Sequence, residues 1–320
     1  MDKIILLLTD THFGVRQNSM TWLNSQLEFM INQFIPDLKH LKSLGHIPVH
    51  VVHMGDVFDS RSTISTYVAT KVVEVFKEIA SIAPVTIIAG NHDYYSPNSD
   101  EVDTLSLLLK DTGVRIVNKT ILEEDGDAFI PWYEWGKPIS SSVKRVFAHT
   151  DIVGGSNPYP GKQVYSGHMH IPFINTNTQL FNIGSCYSLD FADANQERGY
   201  YIVKGDSSVF VPNKHSIKFW RLYNTDIFDT VKTNSINIRD YVELYITQSN
   251  MACREYVEKI NEMSAKYKNI WIIPQIDSAA SVDLEKFEGY DIAKITAEMV
   301  PDNLKSKFEQ VLHSVNNSLL

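Results

Sequence analysis

Cysteine is nearly missing from this chain: 320 residues contain two, Cys186 and Cys253, far apart in sequence. A disulfide framework is therefore excluded, and two reduced thiols in a cytoplasmic protein are expected. A surplus of cations is missing as well. The formal net charge is −9, which counts against a surface coated for nucleic acid and leaves room only for a local basic groove. No apolar run approaches membrane-spanning length, and the apolar stretch at 4–8 is too short for a signal-peptide core. Internal repeats and low-complexity tracts are absent too. What remains is an ordinary globular composition, 43% hydrophobic and 21% charged. A chain of this length can bury about three quarters of its unfolded surface without staples.

The chemistry centres on residues 86–94, Thr-Ile-Ile-Ala-Gly-Asn-His-Asp-Tyr. An apolar β-branched run stops at Gly90, and an amide, an imidazole and a carboxylate follow at once. Four similar clusters each come after an expected strand: Asp10-Thr-His12, Gly55-Asp56-Val-Phe-Asp59, His149-Thr-Asp151 and Gly167-His168-Met-His170. Any one of these is an ordinary polar turn. Five of them in one chain point to divalent cations and phosphate.

Residues 3–8 read as a buried strand. Trp22, Leu23, Leu27, Met30, Ile31, Phe34, Leu38 and Leu41 recur at helical spacing, with Pro36 expected to kink or split that helix. A second strand spans 48–53. Ser62 or Thr63 is expected to cap a helix carrying Val68, Val72, Val75, Phe76 and Ile79, and a third strand spans 85–89. This alternation is the α/β pattern, in which ligands sit beyond the carboxyl ends of the strands. After a short helix at 105–109, stopped at Gly113, short strands follow at 128–132, 145–149, 164–167, 180–184 and 199–203. The expected fold is a two-sheet αββα sandwich occupying 1–211. A strand–helix–strand capping unit is expected at 212–276, an acidic linker at 277–288, and two amphipathic helices at 289–320, parted at Pro301-Asp302.

Two cations about 3.5–4 Å apart need one carboxylate that touches both. Asp56, after the central strand, is the natural bridge. Asp10, His12 and one imidazole of the Gly-His-Met-His pair would complete one site; Asn91, His149 and the other imidazole would complete the second. His53 is expected to face the sheet interior or an outer helix instead. Oxygen and imidazole donors without thiolate suit two divalent ions, Mn²⁺ first, with Fe²⁺, Mg²⁺ or Zn²⁺ as alternatives.

In this order, the five clusters resemble the calcineurin-like metallophosphoesterase superfamily. The stretch beginning Asn182-Ile-Gly-Ser-Cys-Tyr-Ser-Leu-Asp-Phe and running through Arg198-Gly-Tyr-Tyr is similar to the SbcD / meiotic-recombination-eleven family of DNA repair nucleases, in the short form carried by large phages. The resemblance implies that Asp10, His12, Asp56 and His170 hold one metal, and that Asp56, Asn91, His149 and His168 hold the other. It implies that His92 faces the phosphate rather than a metal, while Asp59 and Asp93 orient imidazoles from behind. The implied reaction is in-line attack on a DNA phosphodiester by hydroxide held on the metals. It would degrade duplex DNA from 3′ ends and nick single strands or hairpins. The terminal helix pair would dock on an SbcC-type coiled-coil ATPase. A homodimer is implied through the helices after the second and third strands, with Tyr67, Val68, Val75 and 105–109 as apolar surface, although burial against the chain's own sheet explains most of these residues equally well. Arg16 and Arg61 are candidate phosphate or DNA contacts. Lys162, Lys214, Lys218 and Arg221 are further candidates; all six cations read first as solvated surface charges, with Arg61 best placed, and Trp132, Tyr133 and Trp135 read as packing or base-stacking rings. The rivals are a phosphoprotein phosphatase or nucleotide phosphodiesterase of the same superfamily, and a non-catalytic scaffold. Such phosphatases usually read Gly-Asn-His-Glu where Asp93 stands here.

Overall fold

The structure is a computed structural model that describes residues 3–45, 47–152 and 155–276. The expected linker at 277–288 and helix pair at 289–320 lie outside the described residues. In chain order the first strands are β1 (Ile4–Leu8), β2 (Val49–His53), β3 (Val85–Ile88), the hairpin β4 (Tyr94–Ser96) and β5 (Ser99–Asp103), and β6 (Arg115–Val117). Next come β7 (Ile121–Leu122), β8 (Asp127–Ile130), β9 (Arg145–His149), β10 (Gln163–Gly167), β11 (Phe173–Asn175), β12 (Leu180–Asn182), β13 (Gly199–Lys204) and β14 (Ser207–Pro212).

Two six-stranded sheets result, ordered β14-β13-β1-β2-β3-β6 and β11-β12-β10-β9-β8-β7. The central strands of each are parallel, while β13, β14, β11 and β7 pair antiparallel. The central strands are apolar on both faces because both faces are covered. From the first sheet Ile5, Leu7, Val52 and Ile88 meet Phe129, Phe147 and Tyr165 of the second. The alternate residues Leu6, Leu8, Val51 and Ile87 pack under the helices. Between the layers Phe129, Phe147, Tyr165 and Phe181 stack ring on ring, with centroids 5.4, 5.4 and 5.0 Å apart. The outer face of the second sheet is covered by Trp135, Ile139, Val143, Ile152 and Tyr159 on connecting chain.

Pro36 splits its helix as expected. Helices Met20–Phe29 and Ile35–Ser43 are joined by a π-helical turn, Met30–Phe34. Proline has no N–H for the α ladder, and the widened turn absorbs the missing bond. The cap of helix Thr66–Ile82 differs from expectation. Ser65 accepts from the Val68 N–H at 3.2 Å. The backbone N–H groups of Ser62 and Thr63 are instead drawn to Ser60 Oγ, at 3.4 and 3.0 Å, so the helix starts one turn later.

A third, three-stranded parallel sheet, β15 (Phe219–Tyr223), β16 (Tyr241–Thr247) and β17 (Asn269–Gln275), carries helix Arg254–Lys266 and its own apolar cluster. It meets the sandwich through a stack of Trp22, Phe219 and Tyr241 with centroids 5.1–6.1 Å apart.

Candidate metal centre

Parallel strands deliver their following loops to one edge. Residues 9–12, 54–59 and 89–93 leave the first sheet, and 149–151 and 167–170 leave the second. All five clusters meet there. Four of the expected ligands adopt positive φ, Asp10 at 50°, His12 at 42°, Asp56 at 54° and His168 at 85°. Non-glycine residues pay for this conformation, and such strain gathers where side chains must be aimed. Two motif glycines have a steric reason. A Cβ on Gly55 would lie 2.4 Å from His149 Nδ1, and one on Gly90 would lie 2.2 Å from Asp56 Oδ1.

Two groups of donor atoms form. In the first, Nε2 of His12 and Nε2 of His170 face each other at 3.2 Å, each 3.9 Å from Asp10 Oδ1. In the second, Asn91 Oδ1 lies 2.9 Å from both His149 Nε2 and His168 Nδ1. Asp56 Oδ2 stands between the groups, 3.9 Å from His12 Nε2 and 3.4 Å from His149 Nε2.

The arrangement fits bound cations on its own chemistry. His149 Nδ1 lies 2.7 Å from the Met54 carbonyl and must donate to it. A neutral His149 therefore aims a lone pair at two further acceptors, Asn91 Oδ1 and Asp56 Oδ2. Acceptors converging on acceptors in a buried site need a positive charge among them. The protonation balance shows the same demand. Burial works against the His149 imidazolium, yet the Asp56 carboxylate outweighs it and the ring rises to about 9. His12 is raised too, where Asp59, Asp56 and Asp10 overcome burial. Burial would lift Asp56, but His149 and its neighbours hold it far below the usual carboxylate range. His168 and His170 are lowered by burial, which keeps them as neutral donors. The buried Cys186 thiol is not part of either donor group: it donates to the Thr9 carbonyl at 3.5 Å, and burial pushes it up to about 12.

His92 stands beside both groups. Its Nδ1 donates to the Asp59 carbonyl at 2.6 Å, and its backbone N–H donates to Asp56 Oδ1 at 2.8 Å. A ring nitrogen of His92 lies within 4.8 Å of donor atoms of Asp56 and His12. Asp59 also brings a carboxylate oxygen to 3.4 Å from His12 Nδ1.

Asp93 departs from the expected role. Its carboxylate accepts backbone N–H groups of Asp56, Gly90 and Val57 at 2.9, 2.9 and 3.0 Å, so it shapes the two loops rather than a ring. Burial and the nearby Asp56 push it up to about 7. Arg16 departs as well. Its guanidinium lies 4.9 Å over the Trp22 ring and donates to the Leu189 carbonyl, which commits it to the contact with the third sheet. Arg61 donates to the Tyr94 carbonyl at 3.2 Å. Lys162 donates to the Ser141 and Val143 carbonyls, and Arg221 pairs with Glu243. His53 faces Phe76 of the outer helix. Trp132 packs 4.6 Å from the His168 ring and 5.8 Å from His149, and Tyr133 packs on Tyr94.

One contributor escaped the sequence reading. Buried Gln26 donates to the carbonyls of Thr11 and His12 at 2.7 and 3.2 Å and fixes the first loop. Its signal was a polar residue in the apolar stripe of its helix.

The model of the calcineurin-like phosphoesterase family matches residues 4–226. The chain belongs to the calcineurin-like phosphoesterases. Membership agrees with the two-sheet sandwich and with the donor groups at the rim, and it implies metal-dependent hydrolysis of a phosphoester. No curated protein sequence matches the chain. The crystal structure of Pseudomonas putida nuclease MPE aligns over 62% of this chain and 84% of its own, at 15% identity and a TM-score of 0.31. That likeness is too distant to bear on substrate. In this phosphoesterase no helix among the described residues is long and apolar enough to cross a membrane.

Proposed function

We propose that the protein is a two-metal DNA nuclease, with Asp10, His12, Asp56 and His170 holding one divalent ion and Asp56, Asn91, His149 and His168 the other. The observation that carries the reading is Asp56 Oδ2, which stands between two groups of imidazole, amide and carboxylate donors with the His92 ring alongside. Bound ions would supply Lewis-acid polarisation of a phosphoryl oxygen and a nucleophile at neutral pH. The chain's own residues do the rest. Asp59 and the Met54 carbonyl fix the orientation of His12, His92 and His149. His92, anchored at Nδ1, presents its remaining nitrogen to the phosphate or the leaving oxygen.

The choice of DNA rests on the segment 182–203 and its similarity to SbcD-type repair nucleases. On the same basis the protein acts in the cytoplasm as the nuclease subunit of a double-strand-break repair complex, with Mn²⁺ as cofactor. Residues 289–320 would bind the coiled-coil ATPase subunit. Of the apolar surface expected for a two-fold partner copy, Val68, Val75, Leu105 and Leu109 are instead buried against the chain's own sheet; Tyr67 stays exposed, and Tyr95, Val102 and Leu107 are exposed around a cleft of about 350 Å³ beside Arg61. The test is hydrolysis of end-labelled duplex and hairpin DNA in Mn²⁺. Shortening from 3′ ends together with hairpin opening is expected. Turnover of a phosphoprotein or cyclic nucleotide with DNA left intact would overturn the substrate assignment.

A further inference from the structure

The loop 167–170 supplies an imidazole to each donor group, although only Met169 separates the two. In an extended strand they would point to opposite faces. The turn at His168, with φ of 85°, brings both to one centre. The backbone after it, from Met169 to Ile171, lies outside the strands β10 and β11.

Its carbonyls are nonetheless all engaged, and by one downstream segment. Asn182 Nδ2 donates to the Met169 carbonyl at 2.8 Å and to the Ile171 carbonyl at 2.7 Å. The His170 carbonyl between them accepts from the Ser185 N–H at 3.0 Å and from the Arg198 guanidinium. Asn182 is fully buried and Arg198 nearly so. Arg198 is itself held by Asp193, whose other oxygen accepts the Leu189 N–H at 2.7 Å. Both Asn182 donors go to the loop, which makes the side chain a brace across three residues.

We propose that Asn182 and Arg198 are positioning residues of the metal centre. They clamp the carbonyls of 169–171 so that His170 stays with Asp10 and His12 while His168 stays with Asn91 and His149. The proposal rests on the two-metal reading. It gives a physical task to a segment that otherwise serves only as a family mark. Neither residue touches a metal or a substrate. Each fixes the backbone that aims an imidazole, and such supporting contacts change metal affinity by about 10- to 100-fold.

Asn182→Asp tests this with almost no change in volume, because a carboxylate oxygen would replace the amide nitrogen against two carbonyl oxygens. Arg198→Lys keeps a charge for Asp193 and loses the fork. Full-length wild type and both variants would be titrated with Mn²⁺ by calorimetry and by electron paramagnetic resonance, with circular dichroism as the fold control. Wild type should bind two ions and give the spectrum of an exchange-coupled pair. Each variant should keep its fold, weaken one ion by about 10- to 100-fold and lose the coupled signal. Variants that bind both ions as wild type does would overturn the clamp alone. Unfolding of both variants would also overturn it, since the contacts would then hold the fold rather than the metals. A wild type binding fewer than two ions would overturn the two-metal reading as well.

Discussion

Replacing Gly90 with alanine tests how tightly the motif turns are fitted to each other. The new Cβ would lie 2.2 Å from Asp56 Oδ1 and 2.4 Å from the Asp56 backbone nitrogen. Carbon contacts are comfortable near about 3.5 Å, so the shortfall is about 1 Å. The 2.4 Å contact is with backbone, which cannot rotate aside. The Asp56 carboxylate is also held by the His92 N–H at 2.8 Å. Overpacking costs about 1–3 kcal/mol, and losing that hydrogen bond adds about 1 kcal/mol. The metal-free variant should therefore be about 2–4 kcal/mol less stable in urea unfolding. Because Asp56 serves both donor groups, both ions should bind more weakly. Hydrolysis should fall about 100-fold, the usual result of a 1 Å misplacement. Stability within about 0.5 kcal/mol of wild type, with both ions bound normally, would refute the reasoning.

Four further outcomes follow from the same geometry. His92→Ala should retain both metals by elemental analysis and lose about 10²- to 10⁴-fold in rate; loss of a metal would make His92 a ligand. Burial lowers His53 from 6.5 to about 3, so the folded state binds fewer protons than the unfolded one. The stability this contributes is complete above pH 6.5 and lost as pH falls toward 3, by about 2 kcal/mol at pH 5; a His53→Asn variant should show a shallower pH slope in urea midpoints. Arg145 binds the buried Asp127 through two nitrogens at 2.7 and 2.9 Å, with Lys3 at 2.8 Å on the same carboxylate. Arg145→Met should cost about 3 kcal/mol in urea unfolding, the low end for breaking a buried pair, because Lys3 remains. Stripping metal with chelator should lower the thermal midpoint, and Mn²⁺ at about 100 times its Kd should restore about 2.7 kcal/mol; a midpoint indifferent to Mn²⁺ would argue against the centre.

Much of the site was legible because it is built at strand ends. An apolar run that stops at a polar cluster announces both the strand and the edge it reaches, as at 86–93. Which imidazole of the Gly-His-Met-His pair joins which donor group was not legible from spacing, since it depends on how the loop after β10 turns between the two sheets. Asp93 and Asp59 look alike as carboxylates behind a ligand. Only the fold turns Asp93 onto the amides of Asp56 and Gly90 and leaves Asp59 beside His12. Arg16 was misjudged for a related reason. Its guanidinium finds the Trp22, Phe219 and Tyr241 rings only once the third sheet has folded against the first helix. The Ser65 cap was missed because Ser60, three and five residues earlier than Thr63 and Ser65, captures the competing amides.

The account's central claim is that five separated turns make one cradle for a pair of cations. The most direct measurement is an anomalous difference map from crystals soaked in Mn²⁺. It should contain two peaks on either side of the Asp56 carboxylate, one bounded by Asp10, His12 and His170, the other by Asn91, His149 and His168. An empty map at this edge, or a single ion with His168 and His170 on the same side of it, would contradict the account.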